Sequence, residues 1–407
     1  MSAVSGILSV GNADQTNEWV SEYQDTILVR NAKGMNAGTT LFGLMSRLKN
    51  EPSETTEYKW FERDPVKREV FAAAAEASTS EATLTLDDNA ASPKPVTGIV
   101  QVGSVLQNTR TGEGVRVTAI NSTSATTTSV ETTRAFIGQA AAINNNDTYV
   151  VITLGKDEGA TPVDAVYESP SVLENYIQTY NSTVELTNAF KGSKLRTDIE
   201  GPLKERRVQA LERIARDIEL SYFFGKAAKV GGTNGTAYYT GGIQASVDAT
   251  GNDSQSLDGG NDFTVTLADF KSWLEEFMTV GSDAKLAFAG PKAYSALSNF
   301  ANSESNGFRI TGSETVFGMN IQTILTPFGE VSLAMHPLFK EIGEYNDWMV
   351  VCDLPMLVQK YMEPLFLEPN IQTPGQDSYK EQFRAKYGLK LKFAEAFGYA
   401  QNLQIIS

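Results

Sequence analysis

The sequence predicts an α+β fold organised around one long helix, and three stretches carry that prediction. Residues 201–226, GPLKERRVQALERIARDIELSYFFGK, have the spacing and end signals of a single helix of about 22–24 residues, a rod of roughly 35 Å. Residues 97–154 read as short strands separated by turns. Beyond a Gly-rich stretch (230–262) the pattern becomes alternating helix and strand, the mark of a compact α/β domain.

In chain order, residues 1–54 are polar with scattered apolar anchors (Trp19, Val20, Ile27, Leu28, Val29, Leu41, Phe42, Leu44). They read as an extended N-terminal arm with little core of its own. Within 55–96, TTEYKWFERD alternates like an outgoing strand, and VFAAAAEA (70–77) favours helix. In 97–154, TGIVQVGSVLQNTRTGEGVRVTAI gives strand, turn and strand. NSTSATTTSVETT is β-branched and almost uncharged, and TYVVITL closes the block. Together they predict a small inserted β subdomain, a barrel or a sandwich. Residues 155–190 return as a long extended segment, with Tyr176, Gln178, Tyr180, Ser182, Val184 and Leu186 on one face.

The long helix dominates 191–229. Pro202 suits its first turn and Gly225 its stop, and Val208, Leu211, Ala215, Ile218 and Tyr222 recur at spacings of three and four. Residues 230–350 alternate LADFKSWLEEFMTVG, AKLAFAG and PKAYSALSNFANS as helices and a buried strand, the buried strand WMVVCDL (348–354) crosses the boundary, and 351–407 end in strands.

Composition excludes several function classes. The chain has 407 residues, 41% hydrophobic and 20% charged, with a net charge of −15, so it is globular and unsuited to tight wrapping of nucleic acid. No apolar run reaches the length of a membrane span, and the start lacks the layout of a signal peptide. The single cysteine, Cys352, excludes an intrachain disulfide; it lies in an apolar strand-like run and reads as an inert core thiol. Any Ser–His, Cys–His or multi-histidine metal site would need the sole histidine, His336, whose setting in AMHPLF is structural. KVGGTNGT (229–236) lacks the Lys-Ser/Thr of a phosphate loop and reads as a flexible loop. The acidic stretch with Asp248, Asp253, Asp258 and Asp262 lacks the calcium-loop pattern and reads as solvated. No cofactor or metal is expected, and the residues support no enzyme; Asp353 and Glu363 are the carboxylates that a hydrolase would have to use.

The order of arm, β excursion, long helix, α/β domain and returning strands resembles the major capsid proteins of tailed bacteriophages, the Hong Kong 97 type of fold. Four stretches carry the resemblance: GSVLQNTRTGEGVRVTAI, EGATPVDAVYESPSVLENYIQTYNSTVELT, RRVQALERIARDIELSYFFGK, and FGEVSLAMHP with WMVVCDLPMLVQKYMEPLFLEP. It is sharpest to the group with a β subdomain inserted in the E-loop. The resemblance implies an N-terminal arm (1–54), an E-loop leaving through 55–96 and returning through 155–190, and the inserted subdomain at 97–154. It also implies a peripheral (P) domain with its spine helix in 191–229, an axial (A) domain at 230–350, and P-domain strands at 351–407. The implied function is an icosahedral shell enclosing double-stranded DNA, with the virion as location and the cytoplasm of a bacterial host as the place of assembly. Implied partners are the chain itself as hexamers and pentamers, a separate scaffolding protein, a portal, DNA bound non-specifically on the inner face and a decoration protein, with no membrane. Nothing before Gln15 has the charge or heptads of a fused scaffolding segment, so the resemblance implies either the separate scaffolding protein or assembly with a very short prosegment. An encapsulin-like compartment shell and a phage tail or baseplate protein are the alternatives.

Two sets of charges are candidate inter-subunit contacts. Arg213 and Arg216 lie on the charged side of the helix. Arg384, Lys386, Lys390 and Lys392 share one face of a strand, and Asp157, Glu158 and Asp164 are their candidate partners on a neighbour.

Overall fold

The computed structural model describes residues 41–48, 50–63, 67–88, 95–156, 158–159, 170–192, 202–233, 235–249, 264–265, 267–302, 309–316, 319–326, 328–401 and 403–405. Most of the expected arm, and Asp253, Asp258 and Asp262 of the acidic stretch, lie outside them. The chain divides into two compact units, Met1–Trp60 with Glu174–Ser407, and Phe61–Leu173.

The first described element is helix α1 (Leu41–Leu48), followed by strands β1 (Asn50–Pro52) and β2 (Glu57–Glu62). Six strands then form a closed barrel: β3 (Glu69–Ala72), β4 (Thr83–Asp87), β5 (Ser104–Asn108), β6 (Gly114–Thr123), β7 (Thr128–Ile137) and β8 (Thr148–Leu154), in the order β3-β4-β7-β6-β5-β8. Val70, Leu84, Leu86, Leu106, Val115, Val117, Val130 and Tyr149 fill its interior. Two sequence expectations change here. The Ala-rich stretch begins in a strand, because Val70 and Ala72 alternate into the barrel core and that burial overrides the helix propensity of alanine. The barrel also starts at β3 rather than at residue 97, since β3 and β4 supply two of its staves. Closure brings Gly103 so near Gly155 that a Cβ there would meet the Gly155 carbonyl oxygen at 2.1 Å. Two arginine–carboxylate clips tie its loops. Arg134 binds Glu113 with two bonds of 2.7 Å, and Glu113 also accepts from the Ala135 and Ala141 N–H groups. Arg110 grips Asp147 at 2.7 and 2.6 Å.

Strand β9 (Ser171–Tyr176) pairs with β2 in a two-stranded ribbon, and β10 (Gln178–Thr187), helix α2 (Asn188–Gly192) and helix α3 (Pro202–Phe224) follow. The supposed loop at 229–236 is instead a hairpin of β11 (Ala228–Gly232) and β12 (Gly235–Tyr239), in which Val230 pairs with Ala237 and Gly235 takes a positive φ at the turn. Next come α4 (Ile243–Asp248), β13 (Thr264–Val265), α5 (Leu267–Met278), β14 (Ala284–Ala289), α6 (Pro291–Asn302), β15 (Arg309–Val316), β16 (Met319–Thr326) and β17 (Gly329–Met335). Helix α7 (Pro337–Glu341), β18 (Met349–Cys352), β19 (Leu357–Glu368), β20 (Ser378–Leu391), β21 (Gly398–Ala400) and β22 (Gln404–Ile405) complete the chain.

Two sheets organise this unit. The first has the order β1-β19-β20-β10, with β10 running antiparallel to β20 from Gln178↔Tyr387 to Thr187↔Ser378. Strict alternation buries Tyr180, Ser182, Val184 and Leu186 on the face that α3 covers. The second, β15-β16-β17-β14-β18-β21, is sandwiched. Trp273 and Phe277 of α5 join Ala287, Ala289 and Val351 in one core, while Leu286, Phe288, Val350 and Cys352 join the core around α3. This sheet extends past residue 350, because β18 and β21 add its last two strands. The cysteine is fully buried in β18, and burial pushes its thiol well above the usual range.

Candidate assembly surfaces

Helix α3 meets the first sheet through Ala210, Ile214, Ile218 and Tyr222, one residue every four. The expected stripe is right at Ile218 and Tyr222 and misplaced further up the helix. Val208 and Leu211 are 48% and 37% exposed, because the small Ala210 and the charged Arg207 occupy the sheet-facing line instead. Arg207 reaches across to Glu381 on β20 with bonds of 2.6 and 2.7 Å, and Tyr379 donates a third at 3.0 Å. Burial pushes the Glu381 carboxyl up, but Arg207 and Tyr379 outweigh it and hold it below its ordinary range. The helix stops where expected. A Cβ on Gly225 would meet the Ser221 and Thr240 carbonyl oxygens at 2.4 and 2.5 Å.

The outward side of α3 borders two grooves. One, of about 330 Å³, runs between α3 and β10. The other, of about 520 Å³, runs between α3 and α7 and is floored by Leu220, Leu338 and Ile342. Exposed Arg213 belongs to both, and Arg216 reaches Glu341 at 3.1 Å across the second. Burial pushes the Asp217 carboxyl up there, against the opposing pull of Arg213.

The basic strand has the predicted alternation: Phe383, Ala385, Tyr387 and Leu389 are buried, whereas Arg384, Lys386 and Lys390 are half-buried on the other face. Its charges are answered more within the chain than the sequence suggests. The adjacent β19 sets Glu363 at 2.8 Å from Lys386 and 3.3 Å from Arg384, and Glu368 at 3.5 Å from Arg384. Arg384 also sits 5.0 Å over the Phe366 ring, and Lys390 sits 5.7 Å from the Trp60 ring. Lys392 is half-buried just past β20; the Lys360 hydrogen bond lowers the Glu51 carboxyl, and Lys390 and Lys392 add smaller contributions. Of the proposed acidic partners, Glu158 is exposed in the second unit, and Asp157 and Asp164 lie outside the described residues.

The most elaborate polar site joins residues far apart in the sequence. Glu219, on the flank of α3 and 1% exposed, accepts from the backbone N–H groups of Leu41 at 2.6 Å and Phe42 at 2.7 Å. These are the first two residues of α1, whose N–H groups have no partner inside their own helix. The same carboxylate accepts from His336 Nε2 at 2.8 Å, which places the imidazole proton on Nε2. The imidazole is fully buried among Phe223, Phe288 and Phe339. A negative charge at a helix N-terminus is favourable, and here it fastens α1 to α3. The sole histidine thus serves structure.

A second buried charge pair holds the other sheet. Lys285 donates to the carbonyls of Val280 at 2.8 Å and Ala396 at 2.9 Å and faces Asp353 at 3.3 Å, both side chains being fully buried. Asp353 also accepts from the N–H and hydroxyl of Ser282. Of the two carboxylates that a hydrolase would have to use, Asp353 faces Lys285, and Glu363 on β19 faces Lys386 and Arg384. Among the described residues no cluster of His, Cys, Asp and Glu could hold a metal ion, and no helix is long and apolar enough to cross a membrane.

Comparison with known proteins adds the family. Residues 35–404 match the sequence model of a family described as SU10 major capsid protein. The chain is 25% identical over 377 residues to the major capsid protein of Pseudomonas phage PaMx41, covering 89% of this chain and 83% of that protein. Among solved structures, one from Microbacterium phage Oxtober96 aligns with a TM-score of 0.46 at 11% identity, over 98% of this chain and 100% of that one. The capsid of Myoviridae phage XM1 aligns at 0.44 and 11% identity with the same coverage. The SrpI encapsulin of Synechococcus elongatus aligns at 0.40 and 13% identity, over 59% of this chain and 79% of that one. The sequence match to the family, over nine-tenths of the chain, is what assigns it.

Proposed function

The chain belongs to the SU10 major capsid protein family, and from that membership we infer that it is a phage major capsid protein whose copies close into an icosahedral shell around double-stranded DNA. The family match over residues 35–404 carries this reading. In Hong Kong 97 terms, α3 is the spine helix of the P-domain, resting on the β1-β19-β20-β10 sheet. The six-stranded sheet is the A-domain, the β2–β9 ribbon is the E-loop, and the barrel is its inserted subdomain. The arginine clips of the barrel and the buried pairs Glu219–His336 and Lys285–Asp353 suit a subunit that must keep its shape under load from neighbours.

The copies associate as hexamers and pentamers. The outward side of α3, with Arg213 and Arg216, and the Lys390–Lys392 end of β20 meet neighbouring subunits. Acids of the second unit, Glu158 with Asp157 and Asp164, are the proposed partners of the lysines. Single exposed pairs are each worth about 0–1 kcal/mol, yet a contact repeated around a shell sets register and salt sensitivity. A scaffolding protein, a portal and a decoration protein are the further partners proposed. The virion is the location, assembly taking place in the cytoplasm of the bacterial host.

A compartment shell is the competing reading, and the contents of purified particles separate the two. Nuclease-resistant double-stranded DNA in particles from infected cells supports the capsid reading. Particles that hold a cargo enzyme and no DNA would contradict it.

A further inference from the structure

The groove between α3 and β10 has a composition that points to an occupant. Its floor is apolar, with Leu186 and Ala210 buried and the Phe190 ring 36% exposed at one wall. Arg206 and Arg213 stand over it, both exposed, and Arg206 donates to the neutral Gln209 at 3.0 Å. The carboxylate in the lining, Glu185, is already held by Lys380 at 3.2 Å. The site therefore offers an apolar bed beneath two cations, which suits an aromatic side chain flanked by carboxylates.

The chain contains such a segment. Its first 29 residues carry Asp14, Glu18, Glu22 and Asp25 and no lysine or arginine, and twice within them a carboxylate directly precedes an aromatic, as Glu18-Trp19 and Glu22-Tyr23. Residues 18–23 lie outside the described residues, but the point from which they lead is fixed, since Glu219 holds the Leu41 and Phe42 N–H groups. From Glu219 to Gln209 is ten residues along α3, roughly 15 Å. The 17 residues from 24 to 40 can span up to about 55 Å, so the groove is well within reach.

We propose that residues 18–23 of the N-terminal segment occupy this groove, with an aromatic ring on Leu186, Phe190 and Ala210 and the glutamates on Arg206 and Arg213. The assignment stands independently of shell formation and is read on the full chain. A photo-crosslinking benzoylphenylalanine replaces Trp19, and the adduct is mapped by mass spectrometry. Attachment to α3, β10 or α2 at the groove is expected, with yield falling at least fivefold in the Arg206→Glu/Arg213→Glu variant. Adding Glu18→Arg and Glu22→Arg to that variant should restore the yield. Crosslinks that map elsewhere in the full chain, or a yield indifferent to charge reversal, would overturn the proposal. The location in the otherwise unaltered chain decides even where the arginine variant fails to fold.

Discussion

Replacing Glu219 tests how the N-terminal helix is fastened. In the Glu219→Ala variant the N–H groups of Leu41 and Phe42 and the Nε2–H of His336 lose their shared acceptor in a fully buried place. Hydrogen bonds to a charged group contribute about 1.5–3 kcal/mol each, and breaking a buried charged network costs about 3–5 kcal/mol in all. Because α1 is short, that loss exceeds what its own turns hold, so α1 should open locally before the rest unfolds. Hydrogen–deuterium exchange of residues 41–48 reads this opening, with amides exchanging roughly 10²–10³-fold faster than in the parent. Glu219→Gln keeps one acceptor oxygen but sets an NH₂ against a second donor, and should lose about 1.5–3 kcal/mol. His336→Phe should fall in the same range, as it removes one donor and leaves the helix contacts. Exchange of α1 within threefold of the parent in Glu219→Ala would refute the fastening.

On α3, Ile218→Asp buries an unpaired carboxylate and should cost several kcal/mol in denaturant melts, whereas Arg213→Glu should leave the melt unchanged and reduce shell yield. Equal loss of soluble subunit in both would contradict the assigned faces. Replacing residues 69–154 by a short Gly/Ser linker should leave the other unit folded by circular dichroism, whereas removing only 97–154 should strand β3 and β4 and promote aggregation. Reversing Lys390 and Lys392 to Glu should block assembly at low salt with the melting temperature of the subunit nearly unchanged, and normal assembly would reduce the stripe to a wet face. In the barrel, Arg110 holds the Asp147 carboxyl down to about 2, against an ordinary 3.8. Because the folded value is the lower one, this stabilisation is full above about pH 4 and fades as pH falls towards 2. It amounts to about 1–2 kcal/mol once the half-exposed Arg110 is allowed for. Arg110→Met should flatten the acid limb of the barrel's unfolding profile.

The fold was legible wherever a periodic pattern and its burial agree. The long helix, the strand from Gln178 to Thr187 and the buried run at Met349–Cys352 follow directly from spacing. Where one residue type carries two messages, the pattern alone misleads. Alanines at 72–75 suggested helix, but tertiary pairing placed the first of them in a strand. Val208 and Leu211 drew the apolar stripe toward themselves because hydrophobicity was the criterion, while the true line included an alanine and a paired arginine. Glu219 could not be found from sequence, because its partners Leu41 and His336 lie 178 and 117 residues away. The cationic stripe was visible in Arg384–Lys392, but its answering Glu363 and Glu368 emerge only from the β19–β20 register, which pairs Glu363 with Lys386.

Electron cryo-microscopy of particles from infected cells decides whether this chain closes into a shell. Closed icosahedral particles are expected, their shell tiled by this chain in rings of five and six with α3 lying along the shell wall. Particles whose walls are built from another protein, with this chain confined to a tail or absent, would contradict it.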